Sequence, residues 1–531
     1  MDSPNSSQMS ANRQIARAAG TVMLAFLVSS LFNLIRGIVI LRAFGTGMES
    51  DAFYSANRIP EFIFNLVAGG ALASAFIPTF TTLLTHGKKE SAWRLAHSII
   101  NLVIAITTLL AVFAAIFAPQ VVRYILAPEW FLNNPQKFEL TVQLLRLLLP
   151  STIIFGVSGL IMGILNAHQS FLLPALAPSM YSLGMILGVL VLAPSLGIFG
   201  LAWGVILGAG LHLLIQLPKL LRLNGKYRLI FGLRDPAVRE VGMLMLPRVA
   251  GVAVVQINFL VNTNLASGYS EGSVTGLTGG FFLMLMPLMF IAQAIATASL
   301  PTFSAQVALG KKDEMRASLV VALKAVLFLS IPASIGLVLL RFPLIQTLYQ
   351  NGEAFTSEST QLVAWALLWY GIGLVGHSVV EIISRAFYAL HDTRTPVMVG
   401  VVAMSLNILL SILLGGLFQR IGWMPHGGLA LANTIATGLE SGALIFLMRR
   451  RLQGIDGRNV LRILWKSLAA ATIMGLAVVW FLQTVVNQPA WIALFAGAGL
   501  GIVVFVFISW LLRVEELKHL SQLFLQRVKR Q

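Results

Sequence analysis

Residues 95–125 read LAHSIINLVIAITTLLAVFAAIFAPQVVRYI, and this apolar stretch contains a single formally charged side chain, Arg123. An α-helix needs about 20 predominantly apolar residues to cross the hydrocarbon core of a bilayer. Its backbone polar groups have no water to bind there, so they must be satisfied within the helix. The stretch therefore predicts a transmembrane helix.

Similar apolar stretches recur along the whole chain, which predicts an all-α polytopic membrane protein with about 14 transmembrane helices. The first is longer than the apolar core of a signal peptide and lacks a small-residue cleavage pattern, so we expect it to be retained. The predicted spans, numbered 1 to 14 in chain order, are 18–41, 52–84, 95–125, 140–165, 172–192, 199–221, 241–266, 274–305, 317–340, 361–390, 396–417, 429–448, 460–486 and 490–512.

The composition also indicates that lipid is the main solvent of this chain. Of 531 residues, 57% are apolar and 11% are charged, and the formal net charge is +17. The basic residues cluster in short segments between spans instead of on a soluble face interleaved with aromatic residues, which argues against nucleic-acid binding. The sequence has no cysteine, so disulfides, thiolate metal sites and cysteine nucleophiles are excluded.

Lysine and arginine are distributed unevenly among the loops. The loops after spans 2, 6, 8 and 12 and the tail are basic, whereas the loops after spans 5, 7 and 13 carry no lysine or arginine. Cytoplasmic loops hold the excess of positive charge in membrane proteins. Both termini are therefore predicted to be cytoplasmic.

The two halves of the chain carry a repeat. Residues 77–80 (IPTF) and 87–90 (GKKE) recur as 300–303 (LPTF) and 310–313 (GKKD), at one constant offset. The offset spans an even number of helices, so both copies have the same orientation in the membrane. Parallel repeats of this kind build transporters from two similar lobes.

The repeat predicts the domain organisation. An N-lobe (1–218, spans 1–6) and a C-lobe (241–451, spans 7–12) are joined by a basic cytoplasmic linker (219–240). Spans 13 and 14 (452–512) lie outside the repeat, and 513–531 is predicted to be an amphipathic cytoplasmic tail. Paired lobes commonly surround a central cavity that opens alternately to each side, which indicates transport. The sequence has no selectivity-filter-like loop or ring of acids, so a channel is disfavoured.

Ionisable groups inside spans are costly unless they face a cavity or a partner. Arg36 lies deep in span 1, while Asp51, Arg58 and Glu61 lie at the start of span 2. Arg58 and Glu61 are i,i+3 neighbours, so a local ion pair is the alternative to substrate binding for these two. Arg42, at the outer end of span 1, is more readily explained by snorkelling to headgroups.

A second group of candidates lies in the predicted C-lobe. Arg248 opens span 7 and lies close enough to its end to snorkel. Glu381 and Arg385 in span 10 have the favourable i,i+4 order for mutual neutralisation. Glu440 in span 12 is a lone acid. Arg36, Asp51, Arg58, Glu61, Arg248, Glu381 and Arg385 are the predicted substrate-binding residues.

Uncharged oxygen ligands suggest a sodium site at Asn262, Asn407 and Ser411, although hydrogen bonding between helices is the commoner use of such residues. His212 and His377 are predicted to be hydrogen-bonded core histidines instead of proton relays. The sequence shows no catalytic triad or metal-ligand spacing, so we predict no catalytic or metal site.

Two stretches of the sequence resemble a known family. Residues 44–53 (FGTGMESDAF), with 58–60 (RIP) and 70–78 (GALASAFIP), and residues 385–396 (RAFYALHDTRTP) are similar to the MurJ/MviN family of lipid II flippases, in the multidrug/oligosaccharidyl-lipid/polysaccharide exporter superfamily. The resemblance implies movement of lipid II between leaflets for peptidoglycan synthesis. It also implies a bacterial cytoplasmic (inner) membrane. Guanidinium groups suit the diphosphate of this lipid because they pair bidentately with phosphate oxygens.

The chain also departs from the family pattern. The resemblance implies functional roles for Arg36 and Asp51, but Ser30, Phe64 and Phe282 stand where the family has further arginines. Gly37 and Gly69 replace family acids. The family's sodium site, where present, uses carboxylates in spans 7 and 11, whereas Asn262, Asn407 and Ser411 stand near those positions.

The leading hypothesis is a lipid II flippase that works by alternating access, with Arg36 and Arg58 binding phosphate and Asp51 setting the charge of the cavity. Sodium or the membrane potential is the expected driving force, with no cofactor. Expected partners are a polyprenyl diphosphate-linked saccharide, membrane lipids and proteins of cell-wall synthesis or division, and not nucleic acid. The alternatives are an exporter of another lipid-linked oligosaccharide, an ion-coupled multidrug exporter and a non-transporting cell-wall scaffold.

Overall fold

A computed structural model describes residues 25, 27–67, 70–223, 225, 227–350 and 353–517. These residues are almost entirely helical, without a β-strand among them, which confirms the predicted fold class. The start of span 1 and most of the predicted amphipathic tail lie outside the described residues.

The chain divides into two compact units, residues 1–268 and 269–531. In the first unit α2 packs against α7, and α9 packs against α11. Its helices are α1 Leu27–Phe44, α2 Met48–Val67, α3 Gly70–Thr85, α4 Lys89–Ile116, α5 Ala118–Val121, α6 Pro128–Asn133, α7 Pro135–Leu148, α8 Pro150–Ala167, α9 Leu172–Leu187, α10 Ala193–Leu196, α11 Ile198–Leu214, α12 Leu217–Leu221 and α13 Pro236–Ser267. Two π-helical turns, Val122–Leu126 and Gly188–Leu192, interrupt this series.

In the second unit α18 is central, because α14, α16 and α20 all pack against it. The helices are α14 Ser273–Leu288, α15 Ala294–Ala308, α16 Lys312–Leu339, α17 Arg341–Tyr349, α18 Ser357–Ala389, α19 Arg394–Arg420, α20 His426–Arg451, α21 Gly457–Thr484 and α22 Ala490–Leu511, with a π-helical turn at Met289–Gln293.

The helix α13, which corresponds to predicted span 7, packs with the first unit. It contacts α2 and α3, and its last turns make polar contacts with the same unit: Asn264 Nδ2 donates to the Ile125 carbonyl at 2.8 Å, and Trp130 Nε1 donates to the Ser267 carbonyl at 2.8 Å. The boundary between compact units therefore lies one helix beyond the predicted boundary between lobes.

Thirteen helical stretches of the described residues are long and apolar enough to cross a membrane. Of the 14 predicted spans, only span 2 is not among these thirteen stretches; in its place the described residues form the two shorter helices α2 and α3. Large apolar side chains are widely exposed on the surfaces of these helices, as at Leu109, Leu476 and Ile502. Such surfaces suit lipid and not water, and the chain is a multi-pass membrane protein.

The repeat found in the sequence is also present in the backbone. Gly87, after α3, has φ +74°, and Gly310, after α15, has φ +71°. The amide of each glycine donates to the carbonyl of the residue three positions earlier, at 3.0 Å. The amides of Lys88 and Lys311 each donate to the carbonyl of the residue five positions earlier. Glycine suits this left-handed helix cap because it has no Cβ. The shared motif thus specifies one turn that is used twice.

Close helix packing in the first unit depends on glycine at the crossing of α9 and α11. A Cβ added at Gly208 would lie 2.5 Å from the Tyr181 carbonyl oxygen, whereas one at Gly210 on the same helix would have nothing within 4 Å. We expect Gly208→Ala to lower the free energy of unfolding by about 1–3 kcal/mol through overpacking.

The matched control, Gly210→Ala, should not destabilise the protein, because alanine has the higher helix propensity. Thermal unfolding of the purified variants in detergent compares the two. Equal unfolding temperatures for the two variants would contradict the packing described for α9 and α11.

Candidate functional site

Five polar or charged side chains converge in the first unit. We call Arg36 on α1, Tyr54, Arg58 and Glu61 on α2 and Tyr181 on α9 the arginine cluster. The Arg36 guanidinium carbon lies 5.6 Å from the centre of the Tyr181 ring. Tyr54 is within electrostatic range of Arg36, Arg58 and Glu61, and Tyr181 is within range of Arg36 and Glu61.

Arg58 is held in place from three directions. Its Nη1 lies 3.2 Å from Glu61 Oε2, its Nε donates to Thr263 Oγ1 at 3.2 Å, and its guanidinium carbon lies 5.5 Å from the centre of the Phe259 ring. The Arg58 side chain is 20% exposed and that of Glu61 is 46% exposed. The predicted i,i+3 ion pair is therefore confirmed, and both α13 contacts help to position the arginine.

Arg36 is the uncompensated charge of the cluster. It forms no ion pair or hydrogen bond within the described part of the chain, and its guanidinium group lies over the Tyr181 ring. Because Glu61 neutralises Arg58, the cluster retains one net positive charge. A half-buried guanidinium with free donors can accept an anion bidentately, as it does with phosphate.

Asp51 lies in a different environment. It is 1% exposed, and its Oδ2 accepts from Lys137 Nζ at 2.8 Å, with the lysine side chain also buried. Lys137 Nζ lies 4.2 Å from the centre of the Trp130 ring. Asp51 is thus neutralised within an enclosed ion pair and adds no net charge to the arginine cluster.

Lys137 is the most important residue that the sequence analysis missed. Lys137 precedes predicted span 4 and lies outside every predicted span, but it belongs to the first turn of α7. The local signal was present: Asn134 accepts a hydrogen bond from the Lys137 amide at 3.0 Å as the N-cap, and Pro135 occupies the first helical position. Both residue types are favoured at these positions.

The structure does not place Arg248 with the arginine cluster. Arg248 is exposed on α13, and no ion pair involves it within the described residues. It precedes Phe259 by about 16 Å along the helix axis at 1.5 Å per residue. Its predicted role in substrate binding stays a prediction.

Glu381 and Arg385 form an ion pair in the second unit, as their spacing predicts. Arg385 Nη2 lies 3.4 Å from Glu381 Oε2, and its guanidinium carbon lies 5.8 Å from the centre of the Tyr388 ring. Mutual neutralisation explains the presence of this pair within α18.

The predicted sodium ligands hydrogen-bond within their own helices. In the first unit Asn262 Nδ2 donates to Asn258 Oδ1 at 3.1 Å. In the second unit the buried Ser411 donates to Asn407 Oδ1 at 3.3 Å. The described residues contain no cluster of three or more His, Asp or Glu side chains suited to a metal ion. Sodium binding stays a prediction.

Both core histidines are hydrogen-bonded, as predicted. His212 Nδ1 lies 2.6 Å from Ser158 Oγ, and His377 Nε2 lies 3.0 Å from Asn433 Oδ1.

The motif at 385–396 also builds the turn between α18 and α19. Asp392 accepts hydrogen bonds from the Thr395 amide at 3.0 Å and from its hydroxyl at 2.9 Å, and Arg451 lies 3.7 Å away. Partial burial alone would raise the pKa of the Asp392 carboxyl, but these hydrogen bonds and the arginine outweigh burial and lower it. The acid therefore stays ionised and fixes the turn.

Comparison with known proteins places this geometry in a family. The family model described as "Lipid II flippase MurJ" matches residues 40–498. This chain belongs to the lipid II flippase MurJ family. A probable lipid II flippase MurJ of Vibrio cholerae is 30% identical and aligns over 96% of this chain and 99% of its own. The lipid II flippase MurJ of Burkholderia cenocepacia is 31% identical, over 82% and 84% of the two chains.

Solved structures agree with this assignment. A lipid II flippase MurJ in an inward closed conformation matches with a TM-score of 0.78 at 25% identity, over 92% of this chain and 98% of that one. An inward-facing MATE family multidrug resistance transporter of the MOP superfamily matches with a TM-score of 0.67 at 17% identity, over 80% and 94%. The second likeness shows the shared fold only.

This member of the MurJ family has an aromatic row where the family resemblance implies an arginine. The centre of the Phe64 ring lies 5.2 Å from that of Phe155, which in turn lies 4.9 Å from that of Tyr181. The Tyr181 ring also contacts the Arg36 guanidinium. The row leads from α2 through α8 to α9. One side of the arginine cluster is consequently apolar.

Proposed function

We propose that this chain moves lipid II from the inner to the outer leaflet of a bacterial cytoplasmic membrane by alternating access. The observation that carries the proposal is the match to the MurJ family over residues 40–498. The uneven distribution of lysine and arginine among the loops supports cytoplasmic termini. The proposed activity is transport and not catalysis, since it neither forms nor breaks a covalent bond.

The arginine cluster supplies the chemistry for an anionic lipid head. In this proposal Arg36 pairs with the diphosphate of the polyprenyl carrier, and Arg58, oriented by Glu61 and Thr263, contributes a second guanidinium. A planar guanidinium matches two phosphate oxygens at once. The row Phe64, Phe155 and Tyr181 offers apolar contact beside the charged group. Sodium or the membrane potential is proposed as the driving force.

Depletion of the resident flippase in a bacterial host tests this function. Expression of the wild-type chain should restore growth and return lipid II to the outer leaflet, measured with an enzyme or binding protein that reaches only that leaflet. An Arg36→Ala variant present in the membrane at the same level should not restore either. A well-expressed wild-type chain that leaves lipid II in the inner leaflet would exclude the proposal.

A second candidate is the transport of a different lipid-linked saccharide, which the apolar row beginning at Phe64 favours. Fewer guanidinium groups would suit a head group with less negative charge. Competition between lipid II and other polyprenyl-linked saccharides for the purified protein distinguishes the two candidates. Displacement of lipid II at a lower concentration by another saccharide would favour the second candidate.

A further inference from the structure

Glu440 is an acid that the proposed function leaves unused. It lies on α20, about 21 Å along the helix axis from His426 and about 16 Å from Arg451, which places it near the middle of a predicted span. Its side chain is half-buried, and no hydrogen bond or ion pair involves it within the described residues. Ionised carboxylates are costly at such depth.

The nearest groups do not compensate this charge. Glu440 Oε1 lies 3.5 Å from the position of a Cβ at Gly400, so the carboxyl packs against α19, and it is within electrostatic range of Tyr388 on α18. Arg385 reaches the same tyrosine but forms an ion pair with Glu381. With one arginine for two acids, this region retains one excess negative charge when both acids are ionised.

Two of the helices packed against α20, α14 and α19, offer no cation near Glu440 within the described residues. The sequence of α14 contains no ionisable residue, and the only ionisable residues of α19 are Arg394 and Arg420, at its two ends. Towards the start of α20, Thr437 and Asn433 share hydrogen bonds with His377 Nε2. The ionisable residues in the second half of α18 are His377, Glu381, Arg385 and Tyr388.

We propose that Glu440 is a proton-binding site in the second unit, and that its protonation couples transport to proton movement, to which the membrane potential contributes as a driving force. The carboxylate takes up one proton to become a neutral carboxylic acid, which removes the excess charge, and it returns the proton on ionisation. A proton suits the site better than a metal cation because Glu440 belongs to no cluster of three or more His, Asp or Glu side chains among the described residues. The coupling rests on the proposed flippase function; the proton site does not.

Infrared titration of the full-length protein in lipid nanodiscs tests the site without any transport assay. The wild-type protein should show a carboxylic acid C=O band at neutral pH that Glu440→Gln abolishes. The band should survive in Glu314→Gln, which removes an exposed acid paired with Lys311. Absence of the band from wild type, or its survival in Glu440→Gln, would overturn the proposal.

Transport in liposomes tests the coupling separately. An imposed proton gradient should change the rate of lipid II flipping by wild type, and Glu440→Gln should lose this dependence. If Glu440→Gln does not fold, Glu440→Asp, which keeps but moves the carboxyl, should shift the midpoint of the infrared titration. A rate of lipid II flipping by wild type that does not change with the proton gradient would overturn the coupling. Loss of the band in Glu440→Gln without any flipping by wild type would overturn the flippase function and leave the proton site standing.

Discussion

Replacement of Lys137 by methionine is expected to lower the free energy of unfolding by about 3–5 kcal/mol, because it leaves the buried Asp51 carboxylate without its partner. The two groups are 2.8 Å apart, and both side chains are almost fully buried. The neighbouring Trp130 ring also loses its contact with the ammonium group. Thermal unfolding of the purified protein in detergent measures the effect.

A double-mutant cycle shows whether Asp51 and Lys137 stabilise the protein as one ion pair or act independently. Asp51→Asn alone should destabilise the protein comparably, and the Asp51→Asn/Lys137→Met double variant should be more stable than either single variant, since it buries no unpaired charge. Effects that simply add would contradict the ion pair. If the double variant recovers stability but not transport, Asp51 has a further role in substrate binding, as the sequence predicts.

Replacement of Arg36 by alanine is expected to weaken lipid II binding by about 10- to 100-fold, the equivalent of one charge-assisted hydrogen bond. Arg36 carries the charge of the arginine cluster that no acid neutralises, so its loss removes the net attraction for a diphosphate. Arg36→Lys should bind with intermediate affinity, since lysine keeps the charge but not the planar fork. Titration of the purified protein with lipid II measures these affinities.

Arg146→Ala is the matched control for Arg36→Ala. Arg146 also belongs to the first unit, but it is exposed, and among the described residues its side chain donates only to the Ala115 carbonyl, at 3.1 Å. Its replacement should leave lipid II affinity within about twofold of wild type, since an exposed group of this kind contributes little. Equal losses in both variants, at equal stability, would show that Arg36 acts through general charge and not through a specific contact.

Hydropathy was sufficient to predict the fold, because a lipid-embedded helix must be apolar over most of its length. The repeat was equally visible, and the turns at Gly87 and Gly310 now give its physical basis. Short elements such as α17 were not predicted, since nine residues between two spans carry no hydropathy signal of their own. Helix ends that depend on caps, as at Asn134, were also placed too late.

The candidate site was predicted only where its contacts are local. The pairing of Arg58 with Glu61 follows from helical spacing, whereas the contacts of Arg58 with Thr263 and of Arg36 with Tyr181 join residues far apart in the chain. Periodicity gives no information about such tertiary neighbours. For the same reason the sequence identified Asp51 as a notable acid but not Lys137 as its partner.

Transport of lipid II by the purified protein in liposomes tests the central claim most directly. Lipid II in the outer leaflet is accessible to an added enzyme that cannot cross the membrane. With wild-type protein we expect nearly all of the lipid II to become accessible to this enzyme. With Arg36→Ala we expect only the lipid II that was already in the outer leaflet to be accessible. Wild-type liposomes in which accessibility stops at the outer-leaflet fraction, as in liposomes without protein, would contradict the account.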